Sequence, residues 1–497
     1  MAAAVFGIDA LSVSVEVDVS PGLPGVTMVG LPDATVRESR DRVRTAIRNS
    51  GFPFPPERVT VSLAPTDVRK VGAAFDLPIA LGILAASGVL PHREPPPYTI
   101  VGGLSLDGGI PPLQGLLPIA VASRRSPAPS LMFPAGNLHE AGIIDGLRLF
   151  PVRSLFDATR VLTAPHPEPA TAPDRPASDS TAAATDDLSD VHGQLSARRA
   201  LEIAAAGGHH VFFSGPPGAG KTMLARRLPG LLPGLSFADA LTVTTIHSVA
   251  GLLPPGVGLI DAPPFRAPHH SCSDVALVGG GSIPRPGELS LAHGGVLFLD
   301  ELPEFSRRVL ESLRQPLEQG VVHIARASRS TMFPARVLLV GAMNPCPCGY
   351  HGDETRECSC TPSIVARYQQ RLSGPLRDRF DLGVAVRAVP WKDLRNQTCG
   401  ESSAAVRTRV EAARARQLTR QHVLNAHLEG RGLRTHCHPA DDQADRVLAE
   451  GAARMGLSVR ALTRVTRVAR TIADLEGGSR VEARHLAEAL HFRLSDR

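Results

Sequence analysis

Residues Val211 to Thr222 read VFFSGPPGAGKT, an apolar run of β-forming residues that leads into a glycine-rich segment. From Gly215 onward the segment fits the pattern G-x-x-x-x-G-K-[ST] at every fixed position. Glycines let backbone N–H groups converge on phosphate oxygens, and a helix beginning near Lys221 directs its positive end and its ammonium group at the same anion. Thr222 would also offer its hydroxyl to Mg²⁺. The residues predicted to bind phosphate are Gly215, Pro216, Pro217, Gly218, Ala219, Gly220, Lys221 and Thr222.

The surroundings of this segment distinguish a phosphate loop from an ordinary glycine-rich turn. An apolar strand precedes it, and a helical stretch from Met223 to Leu228 follows. Lys221 is one of three lysines, with Lys70 and Lys392, in a chain that otherwise uses arginine for positive charge. Because lysine provides a compact point charge, its use here indicates a phosphate ligand.

Length and composition indicate a globular protein. The 497 residues are 43% hydrophobic and 20% charged, which suits roughly two to four domains with cores of their own. The longest apolar run, Leu77 to Leu90, is interrupted by Pro78 and Gly82 and is too short to span a bilayer, and the N-terminus has no signal pattern. We therefore expect a cytoplasmic protein. The net charge of +5 permits contact with nucleic acid without requiring it.

The pattern of the first 162 residues predicts a compact α+β domain. Residues 11–19 alternate apolar and polar side chains, as a half-buried strand does. The further predicted elements are a helix from a cap at Asp33 to about Gly51, strands at 59–63 and 98–101, and a helix at 76–86. Residues 163–190 are predicted to be a flexible linker, because the stretch from Thr163 to Asp186 has five prolines and no large apolar side chain.

Two later strands deliver polar side chains of the kind that ATP hydrolysis needs. The strand from Gly295 to Leu299 ends in Asp300 and Glu301, and the next apolar strand ends in Asn344. Because open α/β sheets bind ligands at the carboxyl ends of their strands, these side chains should meet the phosphate loop. Asp300 would hold Mg²⁺, Glu301 would orient the attacking water, and Asn344 would bond the γ-phosphate and this water.

Four of the seven cysteines are crowded together, as Cys346, Cys348, Cys358 and Cys360. In a reducing compartment such crowding indicates a metal site rather than disulfide bridges. Two close thiol pairs can surround Zn²⁺ tetrahedrally, although the spacing within each pair is tighter than usual. Free thiols and a redox disulfide are the alternatives. A zinc knuckle at 346–360 would stiffen the loop that carries Asn344.

The pair His269 and His270 also has the chemistry of metal ligands. Neither residue has a partner at helical i, i+4 spacing, and Cys272 is too near to complete a tetrahedral set. We therefore predict hydrogen bonds within their own loop.

Residues 396–497 have a helical pattern that is rich in arginine. Helices are predicted over 406–421 and 457–475, where arginines stand between small and apolar positions. A charge run of this kind predicts a solvated face, and a surface that faces DNA is the alternative.

The N-terminal region resembles the Lon-protease-like (ribosomal-S5-like) domain that heads the ComM/YifB family of magnesium-chelatase-like proteins. The resemblance lies in Leu63 to Lys70 (LAPTDVRK) and Ala74 to Pro78 (AFDLP). Ala74 stands where a Lon protease has its serine nucleophile, and the segment from Gln114 to Leu117 has leucine near the place of the catalytic lysine. Without that dyad peptidase chemistry is not expected, so the domain is interpreted as a binding or assembly module. Lys70 is interpreted as a solvated or phosphate-contacting residue.

The phosphate loop and the two later strands, followed by Leu372 to Leu382 (LSGPLRDRFDL), resemble the AAA+ ATPases of the helix-2-insert branch, which includes magnesium chelatase, MoxR and the MCM helicases. Within that branch the chain is most similar to ComM/YifB proteins, in the stretches 265–271 (FRAPHHS), 285–293 (RPGELSLAH) and 302–305 (LPEF). The implied fold class is an α/β AAA+ P-loop ATPase core at 191–395 with a C-terminal helical lid at 396–497.

The resemblance also implies cofactors, assembly and further site residues. ATP and Mg²⁺ are the expected cofactors, and a homohexamer is the expected assembly. Arg379 would be the arginine finger that reaches the γ-phosphate of the neighbouring subunit, with Arg377 as the alternative. Arg460 would be the arginine known as sensor 2. Family members have the same cysteine cluster.

The function implied by the resemblance is a DNA motor, a hexameric helicase that promotes branch migration when single-stranded DNA is recombined, as in natural transformation. A hairpin within 319–336, with Arg326 and Arg329 at its tip, would project into the ring pore and contact phosphates. The chain has one Trp and three Tyr and shows no base-stacking aromatic cluster. The alternative is a chelatase-like or MoxR-like remodeller of protein complexes. The partner of the N-terminal domain is unknown.

Overall fold

The computed structural model describes residues 1–30, 34–66, 70, 72–90, 98–127, 129–173, 186–254, 256–281, 283–325, 330–353, 356–389 and 400–493. Within these ranges two sheets form the N-terminal region, a five-stranded parallel sheet forms the centre, and a group of helices forms the C-terminal region.

The first sheet is built from amphipathic strands. The strands of this sheet and the helices between them are β1 (Ala2–Phe6), β2 (Asp9–Ser20), β3 (Gly25–Val29), α1 (Ala34–Asn49), β4 (Arg58–Ala64) and α2 (Asp76–Ala86). The strand order is β1-β2-β4-β3, and only the β3/β4 pair is parallel. Val59, Val61 and Leu63, which alternate along β4, are fully buried in one core with residues of α1 and α2. The predicted helix cap Asp33 lies outside the described residues.

A second, three-stranded sheet completes the N-terminal region. The strands of this sheet and the helices that accompany them are β5 (Tyr98–Ile100), α3 (Leu116–Arg124), β6 (Ser130–Pro134), α4 (Leu138–Ala141), β7 (Arg148–Val152) and α5 (Leu155–Thr163). The strands are parallel in the order β5-β6-β7. Beyond α5, the Ala170 N–H donates to the Leu149 carbonyl oxygen at 2.7 Å. Part of the proline-rich segment is therefore paired with this sheet, whereas residues 174–185 lie outside the described ranges.

The positions at which the resemblance would put the Lon dyad carry alanine and leucine side chains. Ala74 lies in a short 3-10 turn before α2, and Leu116 and Leu117 are fully buried at the start of α3. Lys70 is also fully buried, and its ammonium group donates to the Pro65 carbonyl oxygen. The interpretation of Lys70 as a solvated residue is therefore wrong, whereas a contact with phosphate stays a prediction. An ammonium group that leaves water needs polar partners, and a backbone carbonyl provides one here.

The central domain contains nine strands among the described residues. These are β8 (Val211–Ser214), β9 (Phe265–Arg266), β10 (Gly279–Gly280), β11 (Arg285–Pro286), β12 (Val296–Leu299), β13 (Val321–Ala325), β14 (Ser330–Pro334), β15 (Leu338–Met343) and β16 (Leu382–Ala385). Five of them form a parallel sheet in the order β16-β8-β15-β12-β9. Every residue of β12 and β15 is buried, as expected for a parallel sheet that is covered on both faces.

Helices and two hairpins surround this sheet. The helices are α6 (Leu195–Gly207), α7 (Lys221–Leu231), α8 (Phe237–Ala250), α9 (Asp274–Val278), α10 (Glu288–Leu291), α11 (Arg307–Ser312), α12 (Arg314–Gln319), α13 (Pro362–Gln369) and α14 (Gly374–Arg377). The antiparallel pairs β10/β11 and β13/β14 form the hairpins. The β13/β14 pair lies within the predicted range 319–336. Arg326 and Arg329, predicted at its tip, lie outside the described residues.

The C-terminal helices are fixed to the central domain through arginines. The helices are α15 (Ser403–Gln421), α16 (Gly430–His436), α17 (Asp442–Met455), α18 (Val459–Leu475) and α19 (Ala483–His491). Arg407 and Arg414 of α15 donate to the carbonyl oxygens of Gly230 and Ala205. Burial lowers the pKa of Arg414 to about 10. The solvated face predicted for this charge run is therefore wrong for Arg414, whereas the DNA-facing surface stays a prediction for the run as a whole.

The N-terminal region packs directly on the central domain. Ser248 of α8 donates to the buried carboxylate of Glu140 in α4, which also accepts the Leu117 N–H at 2.9 Å. Gly7, between β1 and β2, lies against Thr331 of β14, since a β-carbon on Gly7 would be 2.3 Å from Thr331 Cγ2. The two regions are thus joined by contacts as well as by the connecting segment.

Candidate nucleotide-binding site

The glycine-rich segment between β8 and α7 forms a tight loop at the carboxyl edge of the central sheet. Gly215 has no room for a side chain, because a β-carbon there would lie 2.0 Å from the Val386 carbonyl oxygen. Gly218 and Gly220 have φ angles of 76° and 91°, in the region that favours glycine. Helix α7 begins at Lys221, so its N-terminal N–H groups and the positive end of its dipole face the loop.

Lys221 connects the loop to the neighbouring strand. Its Nζ donates to the carbonyl oxygens of Gly215 at 2.7 Å and Pro216 at 3.0 Å, and to Asn344 Oδ1 at 2.9 Å. Burial lowers the pKa of the Lys221 ammonium group, and the charges of nearby Asp300 and Glu301 oppose this shift. The lysine and the amide predicted from separate stretches of sequence are therefore brought together.

Thr222 and Asp300 form a second contact across the site. The Thr222 hydroxyl donates to Asp300 Oδ2 at 2.8 Å, and the other Asp300 oxygen accepts the Glu301 N–H at 2.9 Å. A hydroxyl and a carboxylate side by side are oxygen ligands of the type that Mg²⁺ prefers. These two residues can hold such an ion beside the glycine-rich loop.

Glu301 has a partner that sequence reasoning missed. Its Oε2 lies 3.1 Å from Nδ1 of His270, which follows β9, the strand next to β12. The backbone of Glu301 has a φ of 51°, uncommon for a residue with a side chain. His269 does bond within its loop, to Ser271 at 2.8 Å, as predicted for both histidines. The prediction is wrong for His270, and its position after a strand beside β12 was the available signal.

Arg379 lies between α14 and β16. Its guanidinium group forms an ion pair with Glu318 of α12 in the same chain. The flanking Asp378 and Asp381 lie 3.5 and 3.7 Å from the guanidinium of Arg464 in α18. No hydrogen bond or ion pair between Arg379 and the phosphate loop is seen in the described part of its own chain, and a finger that acts on a neighbouring subunit needs none.

Arg460 is exposed at the first turn of α18, after a cap in which Ser458 Oγ accepts the Ala461 N–H at 3.3 Å. Within the described ranges it has no hydrogen bond or ion pair to the residues of the site. The structure therefore does not bring Arg460 together with Lys221 and Asn344.

Three family models match successive parts of the chain. Residues 15–137 match "Subunit ChlI of Mg-chelatase", residues 187–394 match "Magnesium chelatase, subunit ChlI", and residues 400–493 match "Magnesium chelatase, subunit ChlI C-terminal". The YifB protein of Salmonella typhimurium is 45% identical over 99% of this chain and 96% of its own length. The competence protein ComM of Haemophilus influenzae is 44% identical over 98% of this chain and 95% of its own length. The chain belongs to the ComM/YifB family of magnesium-chelatase-like proteins.

Membership of the ComM/YifB family confirms the resemblance inferred from the sequence motifs. It places the central domain among the AAA+ ATPases, for which ATP and Mg²⁺ are the cofactors. An MCM-type protein of Methanocaldococcus jannaschii is more distant, 24% identical over 44% of this chain and 22% of its own length. None of the helices in the described part of the chain has the length and apolar character needed to cross a bilayer.

The ComM/YifB chain also has a cluster of four thiols beside this site. The sulfur atoms of Cys346, Cys348, Cys358 and Cys360 lie within 4.8 Å of one another. Three of the sulfur separations are 3.3, 3.6 and 3.6 Å, close to the edge of about 3.8 Å in a tetrahedron with zinc–sulfur bonds of about 2.3 Å. These three separations, which join Cys346, Cys348 and Cys358, suit one metal ion, and the Cys360 sulfur lies near enough to be its fourth ligand. Cys272 and Cys437 are outside the cluster, and Cys399 lies outside the described residues.

Proposed function

We propose that this ComM/YifB protein is an ATP-hydrolysing ring motor that acts on DNA and promotes branch migration in recombination. The observation that carries the proposal is the meeting of Lys221 with Asn344 and of Thr222 with Asp300 at one edge of the parallel sheet. This arrangement combines a phosphate-binding cation, two oxygen ligands for Mg²⁺ and an amide beside them, which are the groups that phosphoryl transfer requires.

Within this site each residue has a proposed role. The loop from Gly215 to Thr222 binds the phosphates through its backbone N–H groups and Lys221. Thr222 and Asp300 hold Mg²⁺, which neutralises charge on the phosphates. Glu301 orients the attacking water, and Asn344 binds the γ-phosphate and the same water.

The site is proposed to be completed by a neighbouring subunit. Arg379 would reach the γ-phosphate of the next subunit in a homohexameric ring, and Arg460 would contact nucleotide after a movement of α18. The proposal for Arg379 is supported by its place on a segment that Arg464 holds from the helical region of the same chain. The helices of residues 396–497 would then act as the lid of the nucleotide site.

The remaining parts are proposed to assist the motor. Residues 1–162 would be a Lon-like domain without peptidase activity that binds an unknown partner, residues 163–190 a linker, and residues 191–395 the ATPase core. One structural Zn²⁺ would be held by Cys346, Cys348, Cys358 and Cys360, which is supported by the separations of their sulfur atoms.

DNA as the track is supported by two relatives, one described as a competence protein and one of MCM type. The second candidate function is ATP-dependent remodelling of a protein complex. It is favoured by the matches of all three parts to magnesium chelatase subunits.

The deciding experiment is ATP-dependent movement of a labelled three- or four-strand DNA junction by the purified protein, with Lys221→Ala as the inactive control. ATP turnover is measured with and without forked and single-stranded DNA over a range of salt concentrations. We expect junction movement and faster turnover with DNA. If DNA leaves ATP turnover unchanged and the junctions do not move, the protein would instead be assigned a protein substrate.

A further inference from the structure

The cysteine loop, residues 346–360, touches the phosphate loop at Pro217. Gly349 is buried against the proline ring: a β-carbon on Gly349 would lie 2.4 Å from Pro217 Cδ and 2.7 Å from Cγ. Nonbonded carbon atoms normally stay about 3.5 Å or more apart. The two loops are therefore in close contact at Gly349 and Pro217, with no room between them for a side chain.

The cysteine loop also adjoins the site through the chain itself. Asn344, which accepts the hydrogen bond from the Lys221 ammonium group, stands just before this loop. The carbonyl oxygen of Pro345 accepts a hydrogen bond from the Gln369 side chain at 3.2 Å. The segment from Asn344 through the cysteine loop thus contacts the phosphate loop twice. Gly349 packs on the ring of Pro217, and Asn344 accepts the hydrogen bond of Lys221.

Apolar packing contributes little to the conformation of the cysteine loop. Only Cys346 and Gly349 are buried among its described residues, so little surface is removed from water. The hydrogen bonds seen within it are local, such as Gly349 N–H to the Cys346 carbonyl at 3.0 Å and Arg356 to the Tyr350 hydroxyl at 2.9 Å. A metal ion on the four sulfur atoms would join the two ends of the loop, as structural zinc does elsewhere.

We propose that the cysteine loop is a metal-dependent support of the phosphate loop. A metal ion on the four cysteines holds Gly349 against Pro217 and so raises the affinity of the chain for nucleotide. This coupling rests on the nucleotide site of the proposed function. Because coupling between two binding sites is reciprocal, bound nucleotide raises the affinity for the metal by the same factor.

The first test compares nucleotide affinity with and without the metal. The dissociation constant of a fluorescent ATP analogue with Mg²⁺ is measured before and after treatment with a zinc-selective chelator. We expect binding to weaken by about tenfold, within the usual range for coupled sites, and to recover when ZnCl₂ is added. The zinc affinity, measured by competition with a chelating dye, should rise by the same factor when the analogue is present.

The second test changes the contact and leaves the four cysteines in place. Gly349→Ala forces the cysteine loop and Pro217 apart, so nucleotide affinity should fall by about tenfold while zinc is retained. Gly352→Ala is the matched control, because Gly352 lies in the same loop with a φ of 77° and has nothing within 4 Å of a β-carbon. This control should retain both zinc and nucleotide affinity.

These measurements separate the support from the function on which it rests. Unchanged nucleotide affinity after zinc removal or in Gly349→Ala would overturn the support and leave the nucleotide site standing. Equal losses in Gly349→Ala and Gly352→Ala would overturn it as well, as would a chain that binds no zinc. A zinc-loaded chain that binds no nucleotide would instead contradict the proposed function.

Discussion

Lys221 and Asn344 lie 123 positions apart in the chain, and the lysine ammonium group donates to the asparagine amide oxygen at 2.9 Å. The pairing of β8 with β15 in the parallel sheet creates this contact, because both side chains follow the carboxyl ends of adjacent strands. A phosphate bound to the Lys221 ammonium group would therefore also lie next to the Asn344 side chain. This adjacency is the basis of the predictions on ATP turnover.

Two substitutions separate nucleotide binding from hydrolysis. Lys221→Ala should abolish ATP binding, because it removes the charge that neutralises phosphate. Glu301→Gln should still bind ATP but hydrolyse it very slowly, since only the water-orienting carboxylate is lost. Equilibrium binding of a fluorescent nucleotide and steady-state phosphate release measure the two effects. Turnover near the wild-type rate in either variant would contradict the assignment of the site.

The contact between His270 and Glu301 predicts a role for His270 in turnover. His270→Ala leaves the Glu301 carboxylate without the partner that holds it, so the turnover rate should fall by about tenfold or more while ATP affinity is kept. His323→Ala is the control, since His323 is exposed on β13, whereas the ring of His269 lies 4.1 Å from that of His270. Similar rates in the His270 variant and the wild type would remove His270 from the site.

A finger supplied by a neighbouring subunit predicts complementation between variants. Arg379→Ala should bind ATP normally and lose about 10³-fold in turnover, the scale known for arginine fingers. Mixing it with Lys221→Ala should partly restore hydrolysis, because some interfaces then combine an intact loop with an intact finger. Arg377→Ala is the comparison, and a loss of turnover there in place of Arg379→Ala would assign the finger to Arg377, two residues earlier in the chain. Additive rates in the mixture would argue against a shared site.

The cysteine cluster predicts about one zinc ion per chain. Replacement of Cys346 and Cys348 by serine should remove the metal and lower the thermal unfolding midpoint, because a structural metal contributes folding free energy. Elemental analysis of protein purified without chelator provides the measurement, and Cys272→Ser is the control outside the cluster. A content well below half an equivalent would favour free thiols.

Two histidines with lowered pKa values, His293 buried and His210 half-buried, predict that stability falls in weak acid. Burial lowers the pKa of His210 and of His293 to about 4, whereas an unfolded chain has a value of about 6.5. Each Nδ1 accepts a backbone N–H, from Leu339 at 3.1 Å and from Arg336 at 3.0 Å. The unfolded state therefore binds more protons between pH 6.5 and 4, and stability is lost as the pH falls through this window.

The measurement is the thermal unfolding midpoint at pH 7.5 and at pH 5. His293→Asn, whose amide oxygen can accept the same N–H, should reduce the dependence on pH. His323→Asn, at an exposed position of β13, is the control and should keep the wild-type dependence. Identical midpoints at the two pH values in the wild type would exclude this effect.

Features that depend on near neighbours in the chain were predictable. The alternation of residues 11–19 predicts a strand, and β2 contains it; the helix predicted at 76–86 coincides with α2. The phosphate loop is recognisable because its glycines, lysine and threonine must stand at fixed spacing for the backbone to surround phosphate. The placement of Asp300 and Asn344 in the site was predictable because parallel strands end at a common edge of the sheet, and each residue follows such a strand.

The tertiary structure alone decided the partners of the charged side chains. The spacing of the arginines in α15 is typical of a solvated helix face. Arg414 nevertheless donates to the carbonyl oxygen of Ala205, 209 positions away in the chain. The loop pattern likewise predicts that His270 bonds within its own loop, and His270 contacts Glu301 instead. Periodicity shows which face of an element is apolar, but the partner of an ion depends on which elements pack together. That packing follows from the burial of the whole core, which no local pattern contains.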